Sequence, residues 1–319
     1  MKEISIKDMK SLSIGNAQIE DAKTGVTVIY FPGGATTGCD ISGGGPASRE
    51  TPLTDPLTAD NPVNAIVLSG GSAYGLAARE GVMRRLEEAG IGFDTGYALV
   101  PLVCQSCIFD LNYGSARRRP DADTGYAACD IALDECDDRM GSVGAGTGAT
   151  VGKLLGMQQA QKSGIGMHAI QIGDLQIAAI VVVNAFGDVF ENGKKIAGLL
   201  DHNRKEFLNS SEVMLDIFSK PRDMFTGNTT IGCIVTNAKF NKAEMNKIAS
   251  MTRNAYARCI DPVGTMADGD TIYACSVGDV VSDINLVGTL SAKVMEQAIE
   301  KAVKVSQIDD EEFLTNCRG

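Results

Sequence analysis

Residues 225–236 read FTGNTTIGCIVT. A polar step, Gly227-Asn228, runs directly into two threonines, and the residues behind them, Ile231 to Val235, form an apolar run suited to a strand covered on both faces. Taken locally, the join is a loop closing in an Asx-type turn, followed by threonines that favour β structure. A second reading has the chain cut at this join, so that a threonine becomes a new N-terminus. The choice between them rests on the rest of the chain.

Working outward, further apolar runs fit buried strands at Val26–Phe31, Asn64–Leu68, Leu175–Val183, Thr230–Val235 and Thr271–Ser276. Segments of helical period lie between them. Ser72 is placed to cap a helix that carries Tyr74, Ala78, Val82 and Leu86 on one face and ends at Gly90. Met245, Ile248, Thr252, Ala255 and Cys259 make a second stripe, and Leu290, Val294, Ala298 and Ala302 a third. Strands and helices alternate without a repeat, which predicts an α/β or α+β fold in one domain spanning residues 1–319. The polar stretch from Asp201 to Thr226, broken by Lys220-Pro221-Arg222-Asp223, is the one candidate connector.

Composition narrows the function. The 319 residues are 44% hydrophobic and 22% charged, the balance of a chain that buries a core. A net charge of −11 argues against nucleic-acid or anionic-membrane partners, and Arg117-Arg118-Arg119 reads as a solvated loop. No run reaches the length of a membrane span, and the N-terminal MKEISIKDMKSL lacks a signal-peptide core, so a cytoplasmic location is expected. Nine cysteines, an odd number set largely in apolar or Gly-rich runs, read as reduced thiols. Cys104 and Cys107 have the C-x-x-C spacing of redox and zinc sites, yet no second such pair completes a zinc set.

The Gly-rich run Gly141–Lys153, GSVGAGTGATVGK, fails as a phosphate loop: Thr147 stands where the first glycine belongs, and Leu154 follows the lysine. As a dinucleotide fingerprint it lacks the strand that should precede it, because DECDDRM comes before. The glycines instead suggest a helix N-terminus whose backbone approaches a site, with Lys153 one turn inside. Two histidines, His168 and His202, leave a Ser-His-Asp triad without an evident base. An N-terminal amine, with a pKa of about 7.7–8.0, is an alternative base at neutral pH. Asp268 and Asp270, in TMADGDT, are either a turn or a carboxylate pair at the mouth of a strand, and Asn184, ending AAIVVVN, is either a turn residue or an oxyanion donor.

Several stretches, in order, resemble the L-aminopeptidase/D-esterase family, which includes β-peptidyl aminopeptidases and nylon-oligomer hydrolases. They are TGVTVIYFPGGATTGCDISGGGPASRETPL, NAIVLSGGSAYGLAAREGVMRRLEEAGIGF, RPDADTGYAAC, GSVGAGTGATVGK, AAIVVVNAFGDV and GNTTIGCIVTNA. The resemblance implies a four-layer sandwich of the aminopeptidase/ornithine-acetyltransferase type, two packed β-sheets flanked by helices. It implies an N-terminal-nucleophile hydrolase made as one inactive chain that cuts itself between Asn228 and Thr229. Thr229 would be the nucleophile, with Thr230 as a second candidate for the first residue. Asp268 and Asp270 match the aspartate pair of the nylon-hydrolase branch, and Lys153 and Asn184 match its lysine and asparagine. The pocket tyrosine maps to Tyr126 or Tyr113, and Gly146 joins that pocket.

The same resemblance implies no metal or organic cofactor, a small peptide or amino-acid amide or ester as substrate, and a homo-oligomer, a tetramer of processed protomers. Two rival expectations follow from the residues: an uncut, catalytically silent binding protein on the same scaffold, and a thiol redox protein built on Cys104 and Cys107.

Overall fold

Strands that read as unbroken apolar runs need cover on both faces, and the fold supplies it twice. The computed structural model describes residues 1–217 and 227–318. Ten strands build its two large sheets: β1 (Lys2–Ile4), β2 (Ser13–Ile19), β3 (Thr24–Ile41), β4 (Ala47–Arg49), β5 (Val63–Ser69), β6 (Val103–Cys107), β7 (Ile165–Ile172), β8 (Leu175–Asn184), β9 (Thr229–Ala238) and β10 (Thr271–Val280). The helices that cover them are α1 (Ala78–Glu88), α2 (Ala122–Asp134), α3 (Lys242–Cys259) and α4 (Ile284–Lys304).

The 18-residue β3 belongs to both sheets. Its first half pairs antiparallel with β2 and β5, giving the order β2-β3-β5-β6-β4. Its last residues, Thr36–Ile41, pair antiparallel with β10, giving β1-β7-β8-β9-β10-β3. The register slips between Tyr30 and Ala35, where Pro32-Gly33-Gly34 carries the strand from one sheet to the other.

Alternation along each strand then sorts side chains into three apolar layers. Ile29, Phe31, Ile66 and Leu68 of one sheet meet Ile180, Val182, Ile231, Cys233, Val235 and Tyr273 of the other. On one outer face Val26, Val28, Ala65 and Val67 pack under Ala78, Val82, Leu86 and Ala128 of α1 and α2. On the opposite face Ile177, Ala179, Val181, Ile234 and Ile272 pack under Met245, Ile248, Ala255, Val294, Met295 and Ala298 of α3 and α4. The result is the expected four-layer helix–sheet–sheet–helix sandwich. Burying each such branched side chain contributes about 1.5–3 kcal/mol, so truncating a central one such as Ile231 costs about 2–5 kcal/mol.

All five expected strands are present, each extended at one or both ends. The helix expected from Ser72 differs. Gly71, at φ 86°, precedes a 3-10 helix over Ser72–Ala77 that passes into α1, and the Ser72 side chain makes no capping bond. Tyr74 is exposed, with the Arg119 guanidinium 3.9 Å from its ring centroid, so it is not part of the buried face. The expected connector is partly ordered as a helix over Ser210–Ile217, while Lys220-Pro221-Arg222-Asp223 lies outside the described residues.

Candidate active site

The antiparallel register of β8 and β9 sets Asn184, the last residue of one, opposite Thr229, the first of the other. The parallel register of β9 and β10 pairs Ile231 with Thr271, and the same offset continues below the strands as a bridge between Asn228 and Asp268. Three strand ends in the middle of a sheet thereby bring Thr229, Asn184, Asp268 and Asp270 together. Such strand ends are where a polar cluster can sit on an otherwise apolar scaffold without interrupting its ladders.

The fourth component arrives by loop. Thr150–Val151 forms a short strand, and beyond it the Gly152 and Lys153 amides donate to the carbonyls of Gly187 and Phe186, 3.1 and 3.2 Å away. Gly152 has φ 73°, and a Cβ there would fall 2.1 Å from the Gly198 carbonyl carbon, so only glycine allows this approach. The reading of Gly141–Lys153 as a helix N-terminus is corrected: Gly144–Gly146 is a single 3-10 turn, and no α-helix begins in the run. Gly146 lies in that turn, where a Cβ would meet the Ile165 amide nitrogen at 2.3 Å.

Lys153, 1% exposed, donates from Nζ to the Asn184 carbonyl at 2.9 Å and to Asn184 Oδ1 at 2.8 Å. The Thr150 amide donates to the same Oδ1 at 3.0 Å, and Asn184 Nδ2 donates to the Phe109 carbonyl at 3.0 Å. Every heteroatom of the Asn184 amide is thus oriented by a neighbour, with one Nδ2 hydrogen committed to the backbone. Burial pushes the Lys153 amine down to about 7, against the attraction of Asp268, Asp110 and Asp270.

Asp270 is fully buried and accepts the Thr230 amide at 2.6 Å and the Gly264 amide at 3.0 Å. Burial, and then the neighbouring Asp268 carboxylate, push its carboxyl up to about 7, opposed by those two hydrogen bonds and by Lys153. Asp268 accepts from the Thr265 hydroxyl at 2.6 Å and the Thr265 amide at 2.9 Å, and burial raises it too. Two carboxyls and one amine in a dry site share charge poorly, which brings the Lys153 amine and the Asp270 carboxyl to about 7, where proton transfer is easiest. The Thr229 hydroxyl, 4% exposed as a residue, donates to the carbonyl oxygen of Asn228. Thr230, the next residue along the strand, has a buried hydroxyl with no hydrogen-bond partner among the described residues. Chemically the cluster presents a hydroxyl against a peptide carbonyl, flanked by groups able to accept and return a proton.

The two tyrosines are elsewhere. Tyr126 stands on α2 in the outer helical layer, its hydroxyl donating to Glu88 at 2.6 Å under the Arg84 guanidinium. Tyr113 is buried in a satellite cluster with Met157, Ala160 and Phe313, its ring 5.5 Å from that of Phe313. Cys104 and Cys107 point to opposite faces of β6, one bonded to the Glu50 carbonyl and the other 2.9 Å from the Ser69 hydroxyl. Burial raises both thiols, Cys107 to about 12, so the expectation of a coupled redox pair is corrected. His168 bonds Lys301 and Glu3 on the sheet edge. No helix among the described residues is long and apolar enough to cross a membrane.

Asp110 and Phe109 also belong to the site, though no motif marks them in the sequence. Asp110 is 2% exposed, accepts the Thr24 hydroxyl at 2.6 Å and the Gly71 amide at 2.7 Å, and is pushed up to about 6 by burial. Its signal in the sequence was one acid directly after the apolar Ile108-Phe109 pair.

Among solved structures, the fold is similar to an L-aminopeptidase D-Ala-esterase/amidase from Ochrobactrum anthropi, described as a variant of the N-terminal-nucleophile hydrolase fold, with a TM-score of 0.69 at 16% identity over 98% of this chain and 92% of that one. It is also similar to a β-aminopeptidase from a Burkholderia species, with a TM-score of 0.66 at 17% identity over 98% and 92%. The sandwich is therefore that of the N-terminal-nucleophile hydrolases. The chain belongs to peptidase family S58, whose model matches residues 5–308, and is a hydrolase. An uncharacterized aminopeptidase of Mycobacterium leprae is 36% identical over 86% of this chain and 79% of its own length. A 6-aminohexanoate-oligomer endohydrolase of a Kocuria species is 31% identical over 93% of this chain and 85% of its own.

Proposed function

We propose that the protein is a self-processing N-terminal-threonine hydrolase that cuts itself between Asn228 and Thr229 and then cleaves amide or ester bonds of small peptides or amino-acid derivatives. The observation that carries this reading is the Thr229 hydroxyl lying on the Asn228 carbonyl, within a buried cluster of Asn184, Lys153, Asp268 and Asp270. Thr230 is the weaker candidate for the first residue, because its amide is held by Asp270 inside the strand ladder and its hydroxyl alternates to the other face.

In maturation, Thr229 Oγ1 attacks the Asn228 carbonyl carbon, the C–N bond breaks and the hydroxyl proton ends on the Thr229 nitrogen. Water then hydrolyses the ester. In turnover the freed amine, with a pKa of about 7.7–8.0, takes the Thr229 hydroxyl proton as that oxygen attacks a substrate carbonyl, and gives it to the departing amine or alcohol as the scissile bond breaks. Water then hydrolyses the acyl-threonine ester, releasing the acid and restoring the hydroxyl. Asn184 Nδ2 has one hydrogen left to offer a developing oxyanion, and Lys153 fixes the amide through Oδ1. Asp268 and Asp270 hold the ammonium state of the new terminus.

The printed names of the relatives, aminopeptidase and 6-aminohexanoate-oligomer endohydrolase, describe amide hydrolysis and support an amidase acting on small amino-acid derivatives. The working form is proposed as a cytoplasmic homo-oligomer of a single domain, with fragments 1–228 and 229–319 kept together. Intact mass under denaturing conditions with N-terminal sequencing tests the reading. Two fragments, the smaller beginning Thr-Thr-Ile-Gly, together with release of amine from amino-acid amides, are expected. One species of full mass after long incubation would leave Thr229 without its base and return the protein to a silent scaffold.

A further inference from the structure

The Asn228 carbonyl has a second partner besides the Thr229 hydroxyl. The backbone N–H of Gly269 donates to it at 2.9 Å, while the Asn228 amide donates to the Ala267 carbonyl at 3.3 Å, the two bonds of the bridge that extends the β9–β10 ladder by one step. That donor is placed by strand register rather than by a flexible side chain. The Asp268–Gly269–Asp270 segment is itself pinned: the Gly45 amide donates to the Asp268 carbonyl at 2.8 Å, and the Ser42 and Gly43 amides donate to the Asp270 carbonyl at 3.0 and 3.2 Å. A Cβ on residue 269 would lie 2.8 Å from Thr229 Oγ1 and 2.8 Å from the Gly45 carbonyl oxygen. Position 269 therefore leaves room for the hydroxyl to reach the peptide only when it is glycine.

We propose that the Gly269 N–H is the oxyanion donor of the self-cleavage step. The inference rests on the reading of Asn228–Thr229 as the bond that is cut. When Thr229 Oγ1 bonds to the Asn228 carbonyl carbon, the π electrons of that carbonyl move onto its oxygen, the atom that already accepts the Gly269 N–H. Charge develops where a preorganised donor stands, at no cost in reorientation. The tetrahedral species collapses by breaking the C–N bond, the electron pair leaves with the Thr229 nitrogen, and the hydroxyl proton ends on that nitrogen. Asn228 then departs as a carboxylic acid after water attacks the ester, and the donor is released from its partner. The same strand register that builds the sheet thus polarises the one peptide bond that is to break.

The test replaces Gly269 by glycolate, an amide-to-ester change that deletes the N–H and keeps the shape, and follows cleavage of the freshly refolded chain by intact mass from pH 5 to 9. Loss of one such donor is expected to slow cleavage by about 10²–10³-fold while leaving the pH midpoint where it is, since the titrating groups are untouched. Cleavage at the parent rate would overturn the proposal. A slowed rate with a displaced midpoint would also overturn it, since that reports a disturbed Asp270 rather than a lost donor.

A second measurement does not depend on folding of the ester chain. In the full-length Thr229→Ala protein, which stays uncut, residue-resolved amide exchange is expected to show Gly269 protected, and fast exchange there would sink the idea. Failure of the underlying reading looks different: the parent protein would be uncut, or Thr229→Ala would still cut.

Discussion

Replacing Asp270 by asparagine is expected to change stability with opposite weight at two pH values. Its carboxyl, ordinarily near 3.8, is pushed up to about 7 by burial and by Asp268. The folded protein therefore holds a proton that the unfolded chain releases, and stability falls as pH rises from about 4 to 7. At about 1.4 kcal/mol per pKa unit, the full penalty above pH 7 is on the order of 4 kcal/mol, and at pH 5 only the smaller part of it is present. Asparagine cannot ionise, so it escapes both amounts. It also loses something constant: its Oδ1 can keep the Thr230 amide, but an NH₂ then faces the Gly264 amide, a loss of about 1–3 kcal/mol. That constant cancels in the comparison. The Asp270→Asn change should be about 2–3 kcal/mol more favourable at pH 8 than at pH 5, measured by urea unfolding in a Thr229→Ala background so that one uncut chain unfolds. Equal changes at the two pH values, within about 0.5 kcal/mol, would refute the account of Asp270 as a carboxyl held out of water.

Lys153→Met should abolish self-cleavage and hydrolysis. It should also remove a stability rise between pH 7 and about 10, since the folded Lys153 amine sheds its proton near 7 while the unfolded one keeps it to 10.5; denaturant titrations across that range check it. Cys104 and Cys107 should resist alkylation in the native protein, react only on unfolding and form no disulfide under mild oxidant, as mass spectrometry would show. Tyr126→Phe should leave self-cleavage and hydrolysis within about twofold of the parent, as rate assays would show, because it removes only one exposed bond to Glu88.

The central strands were legible because burial on both faces leaves them long apolar runs, with polar residues such as Thr230, Thr271 and Asn184 gathered near their ends. β6 was not: Gln105 and Ser106 look like surface residues, yet both are buried, paid for by Ser69, the Gly75 carbonyl and the Tyr273 hydroxyl. That hidden pairing is also why C-x-x-C suggested chemistry where there is a strand with two faces. The full length of β3 was masked by Pro32-Gly33-Gly34, which signals a break locally and here is the passage between sheets. Helix α2 buries Gly125, Ala128, Cys129 and Ala132 at helical spacing, but a stripe of such small side chains is hard to tell by hydropathy from the residues around it. At the site, the strand ends gather Thr229, Asn184, Asp268 and Asp270, the residues matched by motif, while Tyr126 and Tyr113, which have no fixed spacing to them, fall on the outer helix and in a satellite cluster. Asp110 and the Gly269 amide could be found only once register was known.

The place of β9 and β10 in the sheet has a thermodynamic consequence. Both lie between β8 on one side and β3 on the other. A cut ahead of Thr229 would leave every ladder of those two outer flanks running between different polypeptides. Unfolding would change molecularity: one chain unravels into one chain, but two fragments separate into two. The melting temperature of the cut protein would then climb with its concentration, where that of an uncut chain is indifferent to dilution. Dilution or denaturation of a cut protein would then separate the central strands from the flanks they pair with, a loss to which an uncut chain is not exposed.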